Sequence, residues 1–237
     1  MQPLIYEFLG TTLLLLLGNG VVANVLLPKS KGKDGGWIVI SFGWAMAVFL
    51  GVYVSADGSG GHLNPAVSFT MAYLGRLPWD QVPGYVLAQV AGGVAGSILN
   101  WLLYKKHFDL ETNPDLIRAT FCTAPAIRSG FWNFMSETIA TFAFMLGVLY
   151  IASPASNMGS LNALPVALLV LGIGVSLGGS TGYAINPARD LGPRIAHFIL
   201  PIPGKTHSDW KYAWVPILGP LVGGALATLV YYLLHGM

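Results

Sequence analysis

The chain reads as an all-α membrane protein of six transmembrane helices plus two half-membrane helices, set out as an inverted repeat. Composition is the first reason. Of 237 residues, 54% are hydrophobic and 9% are charged, against about 25% charged in a typical soluble domain, so lipid is the expected solvent. Several apolar runs are also long enough to cross a hydrocarbon core about 30 Å thick, which takes about 20 helical residues. Finally, Asn-Pro-Ala occurs twice, at 64–66 and 186–188, and each copy opens an apolar run too short to cross.

Taken in order, the full spans are expected at residues 4–27, 37–56, 82–104, 131–152, 163–177 and 212–234. No basic segment or small-residue cleavage site marks the first as a signal peptide, so it is expected to remain as a span. Small residues fall four apart at Gly84, Ala88, Gly92 and Gly96, at Gly43, Ala47 and Gly51, and at Gly219, Gly223 and Ala227. Such stripes let helix backbones approach closely, which predicts a compact bundle. Cys122 is the only cysteine, which excludes an intrachain disulfide. The net charge of +2 says little about partners.

Each half-helix has the same start. Asn is a favoured N-cap and Pro is favoured at the first helical position, so Asn64 caps a helix beginning at Pro65 and Asn186 caps one beginning at Pro187. The first runs to residue 75, about eleven residues and half a membrane at 1.5 Å per residue. The second runs to about residue 200, where Pro201-Ile-Pro203 closes it. Glu7 and Glu137 lie inside the first and fourth spans, so one domain is expected to hold two repeats, about 1–105 and 130–237. Three spans per half is an odd number, which inverts the second half in the membrane. Broken helices in inverted repeats build transport paths at the midplane, and their exposed backbone must be buried in protein or line an aqueous cavity. The simplest geometry brings the two N-termini together at mid-membrane. There the positive helix ends face one another, and the amides of Asn64 and Asn186 offer donors.

With "SGGHLNPAV" and "GYAINPARDLGPR" both in view, the chain resembles the aquaporin or major intrinsic protein family, and more closely its glycerol-conducting branch, the aquaglyceroporins. The resemblance covers nearly the whole chain and implies the aquaporin-like right-handed bundle. It also implies a homotetramer with one pore per subunit. Aligned without gaps from the two asparagines, it places the narrowest point of the pore at Trp44, Gly174, Tyr183 and Arg189. Arg189 offers several fixed donors and its charge repels cations. Gly174 removes bulk, Trp44 supplies a broad apolar wall, and Asp190 also resembles the glycerol branch. Tyr183 stands where phenylalanine is more usual, and its hydroxyl either narrows the opening or adds a hydrogen-bond partner. The expected cargo is water and small neutral polyols such as glycerol, extended by Tyr183 to protonated hydroxy acids such as lactic acid. A polyol's hydroxyls would meet Arg189 and backbone carbonyls from Gly182 to Ala184, with Gly60, Gly61 and His62 lining the approach. Gly58, Gly60, Gly61, Gly178, Gly179 and Gly182 are expected to run extended with carbonyls turned to the lumen.

Other functions are set against this one. Glu7 and Glu137 read either as proton-relay groups or, as the resemblance implies, as acceptors for the unpaired backbone of the adjoining half-helix loops. His62 is either a loop-packing residue or a pH-sensitive gate. Neither glycine cluster leads into the Gly-Lys-Ser/Thr of a phosphate loop. No metal-ligand cluster, nucleophile elbow or paired carboxylates point to an enzyme, and no cofactor, metal or nucleic-acid partner is expected. The alternative class is an ion-coupled secondary transporter of a small polar solute. Orientation carries a conflict. Of twelve Lys and Arg residues, only Arg76 falls on the side of the termini. The positive-inside rule then puts the termini outside, whereas the resemblance puts them in the cytosol of a multi-pass plasma-membrane protein.

Overall fold

The structure is a computed structural model, and the residues it describes are 1–151 and 161–236. Its elements are α1 (Gln2–Leu26), α2 (Gly36–Ser59), α3 (Pro65–Tyr73), α4 (Val82–Leu103), the short α5 (Lys105–Phe108) and α6 (Pro114–Ala119), α7 (Gly130–Ile151), α8 (Ala163–Leu177), α9 (Pro187–Ile199) and α10 (Trp214–His235). Among the described residues, five helices are long and apolar enough to cross a membrane, and α8 is a shorter apolar helix of 15 residues. The expected end of the fourth span, Ala152, lies outside the described residues.

Packing repeats between the halves. α1 lies against α2 and α4, as α7 lies against α8 and α10, while α2 meets α8, α4 meets α9 and α10 meets α3. Two glycines show how close the duplication runs. A Cβ on Gly92 would lie 2.5 Å from the Phe8 carbonyl and 3.0 Å from Thr11 Cβ; one on Gly223 would lie 2.5 Å from the Thr138 carbonyl and 2.9 Å from Thr141 Cβ. Both α4 on α1 and α10 on α7 therefore need a residue without a side chain at the crossing. Beside them, Ser97 donates to the Gly93 carbonyl at 2.8 Å and Thr228 to the Gly224 carbonyl at 2.9 Å.

Polarity is distributed as lipid requires. Ile38, Leu87 and Leu233 on the outer faces are at least 70% exposed, whereas Glu7, Gln89 and Glu137 inside the bundle are fully buried. α3 has 9 residues and α9 has 13, so at 1.5 Å per residue neither crosses the hydrocarbon. α3 stops at Tyr73 rather than residue 75, because the Gly75 and Arg76 amides fold back onto the Ala72 and Met71 carbonyls at 3.0 and 2.8 Å. α9 stops at Ile199, since Leu200 precedes Pro201 and is held extended.

Candidate functional site

The two half-helices meet tip to tip, and the approach to each tip has one backbone design. Gly60, Gly61 and Leu63 have φ of 86°, 61° and 51°; Gly182, Tyr183 and Ile185 have 81°, 37° and 45°. These are the same three places before each asparagine. The glycines at these turns thus adopt left-handed rather than extended backbone. Two others of the expected set are helical. Gly58 lies inside α2, where a Cβ would sit 2.0 Å from the Tyr6 ring, and Gly178 caps α8 in right-handed geometry.

A left-handed conformation costs an L residue roughly 1–2 kcal/mol, so Leu63, Tyr183 and Ile185 need something to hold them. Two buried carboxylates supply it. Glu7 Oε1 accepts from the His62 amide at 2.9 Å and the Ser59 hydroxyl at 2.6 Å, while Oε2 accepts from the Leu63 amide and Gln89 Nε2, both at 2.7 Å. Glu137 accepts from the Ala184 and Ile185 amides at 2.9 and 3.0 Å.

Each asparagine does two things at once. Asn64 Oδ1 accepts from the Ala66 amide at 2.9 Å, and Asn186 Oδ1 from the Ala188 and Arg189 amides at 2.9 and 3.2 Å, as N-caps do. Asn64 Nδ2 donates to the Ile185 carbonyl and Asn186 Nδ2 to the Leu63 carbonyl, both at 2.9 Å. These crossed bonds lock the tips together. They also use one N–H of each amide, and both asparagines line the central cavity.

That cavity has a volume of about 640 Å³, and its lining reaches from Trp44, Tyr183 and Arg189 past both tips to Arg76 and Asn162. Its walls between are apolar, with Val48, Val52, Phe144 and Val148 facing Gly60, Gly61, His62 and Ala184. The Arg189 guanidinium carbon lies 4.1 Å from the centre of the Trp44 ring, close enough for a cation–π contact. Trp44 fits only because α1 offers Gly18, where a Cβ would fall 2.2 Å from the ring.

Gly174 and Gly182 depart from expectation, since neither lines the cavity. Gly174 sits behind Tyr183, and a Cβ there would lie 2.9 Å from the ring. It gives room to the tyrosine rather than to the cargo. Gly182 donates to the Gly178 carbonyl at 2.9 Å and turns toward Thr123. The Tyr183 hydroxyl is fully shielded, so it neither narrows the lumen nor offers a solute a bond, although Tyr183 lines the cavity.

The remaining groups frame these. His62 shares a 3.1 Å hydrogen bond between Nδ1 and Ser68 Oγ and packs on Tyr85 with ring centres 5.1 Å apart. Pro65, Ala66, Pro187 and Ala188 are buried in the helix starts. Asp190 points away from the cavity: it pairs with Arg194 Nε at 2.7 Å and accepts from the Thr123 amide and hydroxyl. Arg194 goes on to the Ser208 and Thr123 carbonyls at 2.6 and 3.0 Å, binding α9 to the connections on either side. Gln89, Thr123 and Gly18 were not singled out by sequence. Gln89 inside an apolar span and the four-residue spacing of Asp190 and Arg194 were the available signals; Gly18 gave none.

A bundle of membrane-crossing helices, with two capped half-helices joined at their tips beside an internal passage, defines a polytopic α-helical channel protein. The major intrinsic protein family matches residues 1–231, and the chain belongs to that family. It is 52% identical over 231 residues to a probable glycerol uptake facilitator protein of Thermotoga maritima, covering 98% of each chain. It is 53% identical to glycerol uptake facilitator protein 3 of Lactiplantibacillus plantarum, covering 98% of this chain and 96% of the relative. A D/L-lactic acid transporter of Lactiplantibacillus plantarum is 39% identical, with 99% of this chain and 97% of that protein covered. Among solved structures, the aquaglyceroporin from Plasmodium falciparum superposes with a TM-score of 0.87 at 33% identity, covering 97% of this chain and 94% of that one.

Proposed function

We propose that this chain is a passive plasma-membrane channel for water and small neutral polyols such as glycerol, one that rejects ions and protons and catalyses no reaction. The cavity past both half-helix tips carries the proposal. Asn64, Asn186 and Arg189 present donors to it, while Trp44, Tyr183 and the valines present apolar wall. A polyol has hydroxyls along one edge and carbon along the other, and such a lining replaces its water on both sides. The guanidinium and the paired helix N-termini carry positive charge that penalises cations and protons. The relatives' names support glycerol as cargo. Protonated hydroxy acids such as lactic acid belong to the same proposal through the similarity to a named lactic acid transporter, not through the Tyr183 hydroxyl. Trp44, Tyr183 and Arg189 form the selectivity filter, with Gly174 shaping it from behind. Glu7 and Glu137 support the loops. The working form is a homotetramer with one pore per subunit.

Stopped-flow light scattering of reconstituted vesicles tests this. Glycerol flux linear in its gradient and indifferent to ion gradients is expected. Saturable uptake that follows an ion gradient would identify a coupled transporter instead, and flux equal to that of empty vesicles would end the proposal. Cytosolic termini are also proposed. They predict that Lys31→Cys in whole cells reacts with an impermeant maleimide added outside. Cys122 gives no background, because burial pushes its thiol up to about 12 and leaves almost no thiolate at pH 7. Raising the pH toward 9 speeds labelling at position 31 and leaves Cys122 unreacted.

A further inference from the structure

Behind the filter lie two hydroxyls that the proposed function leaves unused. Tyr183 Oη and Ser41 Oγ are both fully shielded, and neither makes a hydrogen bond of ordinary length and angle with a described residue. Buried hydroxyls without partners are uncommon and call for a reason. Both stand beside Gly174: a Cβ there would lie 3.0 Å from Tyr183 Oη and 3.1 Å from Ser41 Oγ.

The rest of the niche fixes the ring but not its tip. A Cβ on Gly178 would lie 2.3 Å from Tyr183 Cδ1. Trp37 meets the ring edge-on with centres 5.8 Å apart, and its Nε1 donates to the Gly174 carbonyl at 2.8 Å. Tyr183 also carries a left-handed φ of 37°, so its backbone does not by itself favour this position. Ser41 stands one helical turn before Trp44 on α2, which places the tyrosine's anchor on the same helix as the opposite wall of the filter.

We propose that Ser41 is a specificity-determining positioning residue: its hydroxyl holds the Tyr183 hydroxyl out of the lumen and so sets how much of the ring faces the cargo. This deepens the channel reading and rests on it. Without that tether the ring leans into the cavity, which obstructs a polyol more than a water molecule.

The test is a double-substitution cycle on reconstituted protein, read as the ratio of glycerol to water permeability, with the thermal unfolding midpoint measured for every variant. Ser41→Ala and Tyr183→Phe each lower the ratio by about fivefold, the weight of one neutral hydrogen bond. The double variant matches either single one. A parental ratio in Ser41→Ala overturns the proposal even when its unfolding midpoint falls, because that is a purely structural role. An equal drop on adding Ser41→Ala to Tyr183→Phe overturns it too, since Ser41 then acts without the tyrosine hydroxyl. The parent in the same assay separates the two proposals: if it conducts no glycerol, the channel reading fails, whatever the cycle gives.

Discussion

The two half-helix tips share a scaffold and differ in what they carry on it. At three matched positions the first has Gly61, Val67 and Ser68 where the second has Tyr183, Arg189 and Asp190. The left-handed turns, the carboxylate behind the loop and the capping asparagine are common to both. The shared backbone shapes both tips, while Tyr183 and Arg189, which line the cavity beside Trp44, come from the second tip alone. The support is uneven as well. Glu7 takes four donors, two of them from the side chains of Ser59 and Gln89, whereas Glu137 takes two loop amides and the Thr181 hydroxyl.

The largest test of this comparison removes the supports. A buried donor left without an acceptor costs roughly 1–3 kcal/mol. Glu7→Ala orphans more donors than Glu137→Ala, so both lower the thermal unfolding midpoint in detergent and Glu7→Ala lowers it further. Midpoints equal to the parent's in both variants would sink the view that carboxylates hold the tips.

Making the second tip a copy of the first at one residue comes next. Arg189→Val installs the residue found at position 67, removes the guanidinium from Trp44 and leaves the asparagine caps in place. Solute flux persists, while cation or proton leak, followed with a pH-sensitive dye inside vesicles, rises by about tenfold or more as the repelling charge goes. A leak no greater than the parent's would assign exclusion to the helix ends alone.

A smaller effect is expected where the second tip must make room for its ring. Gly174→Ala puts a methyl 2.9 Å from the Tyr183 ring. Overpacking of that kind costs roughly 1–3 kcal/mol, and the ring relieves it by moving into the cavity. Glycerol flux falls on the order of tenfold, since each 1.4 kcal/mol is a factor of ten. Adding Tyr183→Ala to Gly174→Ala restores it.

Much of the scaffold was legible because it rests on local chemistry. Asn before Pro caps a helix in any setting, and a half-length apolar run after such a cap has few places to go in a membrane. The span boundaries came from hydropathy, with α8 matching its expected limits of 163 and 177. What escaped depends on where side chains meet across helices. Gly174 aligned with a pore position, yet its role is set by a tyrosine nine residues on that folds back over it. Gly58 looked like loop because glycines cluster there, but Tyr6 packs over it and α2 runs on to Ser59. Gly60, Gly61 and Gly182 read as extended loop yet turn left-handed, and so do Leu63, Tyr183 and Ile185, beside loop amides of Leu63, Ala184 and Ile185 that bond to buried carboxylates.

The gentlest test concerns that backbone. Gly61 has a φ of 61°, and a Cβ on it would meet Ser55 Oγ and Val52 Cγ1 at 3.3 Å. Gly61→Ala therefore brings left-handed strain and a slight squeeze, about 1–2 kcal/mol in all. Tyr183 already bears the same kind of strain at the matched place, so Tyr183→Gly relieves its backbone while emptying the niche before Gly174 and Gly178. The loss of a packed ring outweighs the relief. Both substitutions lower the unfolding midpoint, but for different reasons. A further Gly182→Ala, at φ 81°, adds its strain fully to that of Gly61→Ala, because the hydrogen bonds joining the two tips come from the asparagines and not from these turns. A combined loss well short of the sum would mean that the turns relax together, and that the tips are one mechanical unit rather than two copies joined at a point.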